Sequence, residues 1–111
     1  MEGDKDIFCK IVNGETGTKF MFEDDDLIVF ADIMPKAPVH YLVVSKKHIP
    51  TINDANEQDK ELLGKMVLAG KKAAQDLDIQ DGYKLIFNVG KDGGQVVPHI
   101  HLHILGGWDK N

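Results

Sequence analysis

Apolar and polar positions along the chain change period several times, and each change marks an element. Ile7, Phe8, Ile11 and Val12 fall at helical spacing ahead of Asn13-Gly14, which predicts a short helix over 6–13 closed by Gly14. Residues 19–23 and 27–31 predict two strands, and Asp24-Asp25-Asp26 between them is the tight turn of a hairpin. Pro35 and Pro38 bracket a loop before a third strand over 40–44. The longest periodic stretch is 57–77, where Leu62, Leu63, Met66, Val67, Gly70, Ala73, Ala74 and Leu77 form one stripe of a helix. Asp54 and Glu57 have capping-box spacing at its start, and Gly64 and Gly70 lower its propensity while permitting close approach to a sheet. Strands over 83–89 and 97–105 follow, separated by the flexible loop Gly90-Lys91-Asp92-Gly93-Gly94-Gln95. The order predicts one α+β domain over residues 1–111: a mainly antiparallel five-stranded sheet with one long and one short helix. One sheet face takes the helical stripe.

The 111 residues, 42% apolar and 28% charged, suit a single soluble domain with one real core. No apolar run approaches the roughly 18 residues of a membrane span. The acidic, polar start argues against a secretory or organelle presequence, and one cysteine, Cys9, fits a reducing compartment. The expected location is the cytosol, with the nucleus also open. A net charge of −5, 13 basic residues that are all lysine, and no long basic cluster argue against a nucleic-acid partner. A single small anion remains compatible, because backbone amides and imidazoles can hold one phosphate.

Three of the five histidines lie in His99-Ile100-His101-Leu102-His103-Ile104-Leu105. On a strand, His99, His101 and His103 share one face and Ile100, Leu102 and Ile104 the other. Alternating imidazoles can ligate zinc, although a fourth ligand is missing nearby. They can also simply satisfy core hydrogen bonds. The third possibility is nucleophilic and acid–base catalysis, since imidazole titrates near neutrality and acts as nucleophile, base or acid. The glycine-rich loop just before the strand favours phosphorus as the electrophile, because loop amides can hold non-bridging oxygens.

The stretch Gly93-Gly94-Gln95-Val96-Val97-Pro98-His99-Ile100-His101-Leu102-His103-Ile104-Leu105-Gly106-Gly107 closely resembles the signature of the histidine triad (HIT) superfamily. Ile7–Ile11, Phe30–Ile33, Ala37–Val44, Lys46–Ile49 and Asn88 resemble its nucleotide-binding branch. The third histidine stands where nucleotidyl-transferase and diadenosine-polyphosphate-hydrolase branches tend to have glutamine. The resemblance implies a HIT-like fold and a homodimer whose sheets join into one. It implies hydrolysis of purine nucleoside phosphoramidates, with no cofactor. By this likeness His101 attacks phosphorus and forms a nucleotidyl-histidine, and water then releases the nucleotide. His99 orients the nucleophile, partly through its carbonyl. His103 donates to a phosphate oxygen, and His40 completes the proton network. Asp32 matches the ribose ligand; Ile7, Phe8, Ile11, Phe30, Ile33 and Leu42 match the base pocket; Asn88 and Gly94 match phosphate-side or leaving-group positions.

The chain departs from that pattern in three places. Val96 replaces a serine hydroxyl beside the phosphate or leaving group. The chain ends soon after Gly106-Gly107-Trp108, where many relatives carry a longer tail. Some relatives hold zinc through CxxC and two histidines; here Asp6 stands at the first of those positions, leaving Cys9, His48 and His99. Carboxylate for thiolate weakens a soft site, so the expectation is no metal, with Cys9 a small buried apolar residue. The alternative to an enzyme is a purine-nucleotide-binding scaffold with incidental catalysis.

Overall fold

The computed structural model describes residues 6–108, so most of the acidic start and the last three residues lie outside the described residues. The expected α+β architecture is present. Helix α1 (Ile7–Val12) leads to strands β1 (Phe22–Glu23), β2 (Leu27–Ala31) and β3 (Val39–Ser45), then helix α2 (Lys60–Asp76), β4 (Tyr83–Ile86) and β5 (His101–Gly106). The five strands form one sheet in the order β1-β2-β3-β5-β4, with every neighbouring pair antiparallel.

Both sheet faces are covered. On one, Leu27, Val29, Val43, Ile100, Leu102 and Ile104 pack with Met66, Ala73 and Ala74 of α2. On the other, Ile28, Phe30, Leu42 and Val44 pack with Phe8 and Ile11 of α1. Double coverage explains why four consecutive residues of β2, Leu27 to Phe30, are buried rather than alternating. Apolar surface removed from water at roughly 25 cal/mol per Å² is the main stabilising term for both layers.

Several boundaries differ from those predicted. The sequence signal at 54–57 is spent on two 3₁₀ turns before α2, Ile52–Asp54 and Glu57–Asp59. Asp54 caps back to Thr51 and Asp59 back to Asn56, so the Asp54/Glu57 box does not form. The same short acceptors serve either a helix start or a tight turn, and here each closes its own turn. Val67 is 42% exposed, at the margin of the α2 stripe. Strand β1 keeps only Phe22–Glu23, β4 ends at Ile86, and β5 begins at His101 rather than 97. His99 therefore precedes the strand, yet the alternation persists: Ile100 lies in the α2-side core while the His99 ring contacts Phe8 of α1. Gly70 does allow close approach, since a Cβ there would lie 2.9 Å from Leu85 Cδ2 and 3.3 Å from Leu102 Cδ2. No helix among the described residues is long and apolar enough to cross a membrane.

Two glycines should respond oppositely to alanine. Gly107 has φ +84°, and a Cβ would meet Val39 Cγ2 at 2.8 Å and the Val39 backbone N at 3.3 Å. Gly107→Ala should therefore lose about 1–2 kcal/mol of stability from backbone conformation alone, with the close contact adding to it. Gly64 lies inside α2 with nothing within 4 Å of such a Cβ, so Gly64→Ala should gain about 0.5–1 kcal/mol. Urea midpoints at constant m-value check both signs.

Candidate active site

The site is set by the register of β3 against β5. His101 pairs with Val44, His103 with Leu42 and His40 with Leu105, which places His40 and His103 diagonally on the α1 face. His40 Nε2 and His103 Nδ1 are 2.9 Å apart. The Lys36 backbone N–H donates to His40 Nδ1 at 3.0 Å, so the His40 proton sits on Nε2 and is donated to His103. His103 in turn carries its proton on Nε2. One step along β5, His101 Nδ1 donates to the His99 carbonyl oxygen at 2.7 Å, leaving Nε2 a bare lone pair. The rings of His101 and His103 lie 5.0 Å apart, and Phe8 meets His101 edge-on at 4.8 Å. The result is a nucleophilic nitrogen beside an N–H donor.

Burial pushes His101 below the ordinary histidine range, and its bond to the His99 carbonyl only partly opposes this. Burial likewise lowers His40, against the raising influence of Asp32. His103 falls to about 4, first through burial and then through repulsion from His101 and His40. All three rings are therefore neutral at physiological pH, the form in which imidazole is a nucleophile.

These rings open onto a cleft of about 900 Å³, within the usual size range of ligand sites. His40, His101, His103, Asp32, Asn88 and Gly94 line it, as do the expected apolar residues Ile7, Phe8, Ile11, Phe30, Ile33, Leu42 and Val96. His99 does not line it; fully buried, it reaches the row from beneath, where its carbonyl accepts from His101 Nδ1. Ile33 and Val96 sit at the rim, 91% and 89% exposed. Asp32 both builds a turn and lines the cleft: Oδ1 accepts from the Met34 N–H at 2.9 Å, and Oδ2 lies 3.4 Å from His40 Nε2.

The sequence reasoning missed several residues. Lys84 and Ile86 reach the cleft because they are the exposed, period-2 face of β4, a signal that was readable. Lys84 also lies over the Trp108 ring at 5.3 Å. Gln95 pins the glycine loop: its Oε1 accepts from the Gly90 N–H, and its amide donates to the carbonyls of Pro50 and Val97. The amides of Gly93, Gly94 and Gln95 are bonded within the loop, to Gly90 or Lys91. They are thus not free for a phosphate, contrary to the simple expectation for a glycine-rich loop.

Comparison with known proteins agrees with this geometry. The family model described as "Scavenger mRNA decapping enzyme C-term binding" matches residues 5–110. A HIT-like protein of Synechocystis sp. is 45% identical over 101 residues, covering 91% of this chain and 89% of the relative. The chain belongs to the HIT family. A HIT family hydrolase from Legionella pneumophila superposes with a TM-score of 0.91 at 48% identity, covering 96% of each chain. A zinc-bound histidine triad family protein from Mycobacterium smegmatis gives 0.81 at 31% identity, covering 95% of this chain and 76% of that one.

A second cluster of this HIT domain lies behind the histidine row. Ligand atoms of Asp6, Cys9, His48 and His99 all fall within 4.8 Å of one another. Cys9 is half-buried with Sγ 3.6 Å from His99 Nδ1, so it is more than apolar filling. A thiol, two imidazoles and a carboxylate are a donor set that fits zinc. Asp6 is hydrogen-bonded to His99 Nδ1 at 3.2 Å and lies 3.0 Å from His48 Nε2, whose hydrogen-bond partner is the Pro98 carbonyl.

The lowered histidines make stability depend on pH. Their folded values lie below the ordinary 6.5, so the unfolded chain takes up more protons as pH falls from about 6.5 toward 4. Stability fully present above 6.5 is lost across that window. The urea midpoint should fall between pH 7.5 and pH 5.5, and His103→Gln should flatten the slope; a flat wild-type profile would contradict the assignment.

Proposed function

We propose that this HIT protein hydrolyses the P–N bond of purine nucleoside phosphoramidates. The observation carrying this reading is the protonation pattern of the row: a bare His101 Nε2 next to a His103 Nε2–H, both fixed by hydrogen bonds deeper in the protein. His101 Nε2 attacks phosphorus and the P–N bond breaks. The leaving amine takes a proton from solvent at the open cleft, since the neutral His40–His103 pair has no proton to give up and serves as a fixed N–H donor. Water then attacks the nucleotidyl-histidine, the N–P bond breaks, His101 Nε2 regains its lone pair, and the proton released by water returns to solvent. The His103 N–H offsets charge on a non-bridging oxygen as it develops.

The rest of the cleft suits a nucleotide. Phe8, Ile11, Phe30 and Leu42 offer an apolar slab for a purine, with Ile7 and Ile33 at its edge. An apolar slot of this kind discriminates poorly between purines. Asp32 retains lone pairs that can accept from ribose hydroxyls. Asn88, Gly94 and Val96 stand on the leaving-group side. Among the described residues strand β4 is bonded only to β5 and leaves an open edge, which supports a homodimer with the sheets joined there. A zinc, if bound, would be held by Asp6, Cys9, His48 and His99, and would cross-link α1 to the start of β5.

Exposed Val96 brings no donor to the rim, which is the feature favouring a nucleotide-binding scaffold instead. Steady-state hydrolysis of a fluorogenic adenosine phosphoramidate separates the two. His101→Ala, folded as wild type, should lose roughly a thousandfold or more in kcat. Wild type that binds AMP but turns over no faster than the variant would leave the scaffold reading standing. Val96→Ser should raise kcat/KM severalfold, below the ceiling of roughly 1.5–3 kcal/mol for a hydrogen bond to a charged group because the site is solvated. An unchanged rate would remove that hydroxyl from the mechanism.

A further inference from the structure

Helix α1 has only six residues, too few to hold itself together, yet its Phe8 packs edge-on against His101. Asp6 is what anchors it. The Asp6 Oδ1 accepts the Cys9 N–H at 2.8 Å, closing the first turn. The same carboxylate lies 3.2 Å from His99 Nδ1 through each of its oxygens and 3.0 Å from His48 Nε2. His99 is fully buried, and its Nε2 donates to the Ser45 carbonyl at 2.7 Å, so the ring is clamped between β3 and Asp6. His48 Nε2 also lies 3.0 Å from the Pro98 carbonyl, fixing the chain just ahead of His99. The His99 carbonyl is the acceptor that sets the His101 tautomer. A continuous set of contacts thus runs from Asp6 through His99 to the nucleophile, and a second runs from Asp6 through α1 and Phe8 to the same ring.

We propose that Asp6 is a positioning residue for His101: its carboxylate gathers the Cys9 amide, His48 and His99 and so locks the row without a bound ion. Where a metal would tie α1 to the start of β5 by coordination, this carboxylate ties them by hydrogen bonds. The four-ligand cluster remains able to take zinc, but the clasp does not depend on it. A thiolate at position 6 could not do the same, since sulfur is a weak acceptor and offers one atom where the carboxylate offers two.

The proposal rests on the phosphoramidase reading for its kinetic arm and is independent of it for the others. Asp6→Asn is the informative variant, because its Oδ1 can still cap Cys9 while its amide group cannot receive both histidines. Wild type, Asp6→Asn and Asp6→Cys would be compared after chelation and after zinc addition, reading Tm, bound zinc, kcat and KM, and the imidazole ¹⁵N–¹H signal of His101 Nδ1. Wild type should keep its Tm and kcat after chelation. Asp6→Asn should lose about tenfold to a hundredfold in kcat with KM little changed, as expected for a misplaced nucleophile, and its His101 signal should shift or broaden. Asp6→Cys should be impaired after chelation and recover in Tm and kcat with one zinc bound. A wild-type Tm and kcat that collapse when one equivalent of zinc is removed would overturn the proposal, as would an Asp6→Asn protein with unaltered His101 signal and Tm. Should wild type fail to hydrolyse phosphoramidates, the functional reading falls, while the Tm, zinc and imidazole readouts still decide the clasp.

Discussion

Imidazole rings stay inside a protein only when their nitrogens have partners, and that requirement organises this HIT domain. His40, His99 and His101 are buried on the α1 face of the sheet. No buried side-chain nitrogen or oxygen among the described residues lacks a hydrogen bond. Satisfying the inner nitrogen of each ring fixes what its outer nitrogen can do. The Lys36 amide fixes His40, His40 fixes His103, and the His99 carbonyl fixes His101. Which nitrogens carry protons and which stay bare thus follows from the hydrogen-bond order.

The two faces of the sheet divide the labour. The α2 side is a conventional core, with Met66, Ala74 and Ile104 fully buried, and it gives the strands their rigidity. The α1 side is thinner, with a six-residue helix over Ile28, Phe30, Leu42 and Val44. A thin layer leaves room for a cleft, and the apolar residues that would otherwise be sealed remain available to a ligand. The same burial that stabilises the sheet desolvates the histidines and lowers their proton affinity. Stability and nucleophilicity at neutral pH therefore share one cause.

Charge plays a local part. Lys46 pairs with Glu23, and Lys65 bridges from α2 to Asp24 and Asp26 of the β1–β2 turn. That turn is built by Asp24 Oδ1 accepting from the Asp26 and Leu27 amides at 2.8 and 2.9 Å. These are exposed or half-exposed contacts, screened by solvent and weak individually. They fix where the chain turns rather than whether it folds.

Sequence alone determined what depends on near neighbours. Period-2 alternation put His99, His101 and His103 on the face opposite Ile100, Leu102 and Ile104, even though His99 lies outside the strand proper. Helical spacing found α1 and α2, and the Gly70 approach to the sheet. Boundaries were less legible where one residue type serves two turns, as Asp54 and Asp59 do. Tertiary structure decided the rest, because side-chain hydrogen bonds depend on strand register and packing. His40 finds His103 across 63 residues of sequence, and Asp6 finds His99 across 93. No local pattern encodes either distance. A one-residue slip of β3 against β5 would send His40 to the other face, and with it the order of protons along the row.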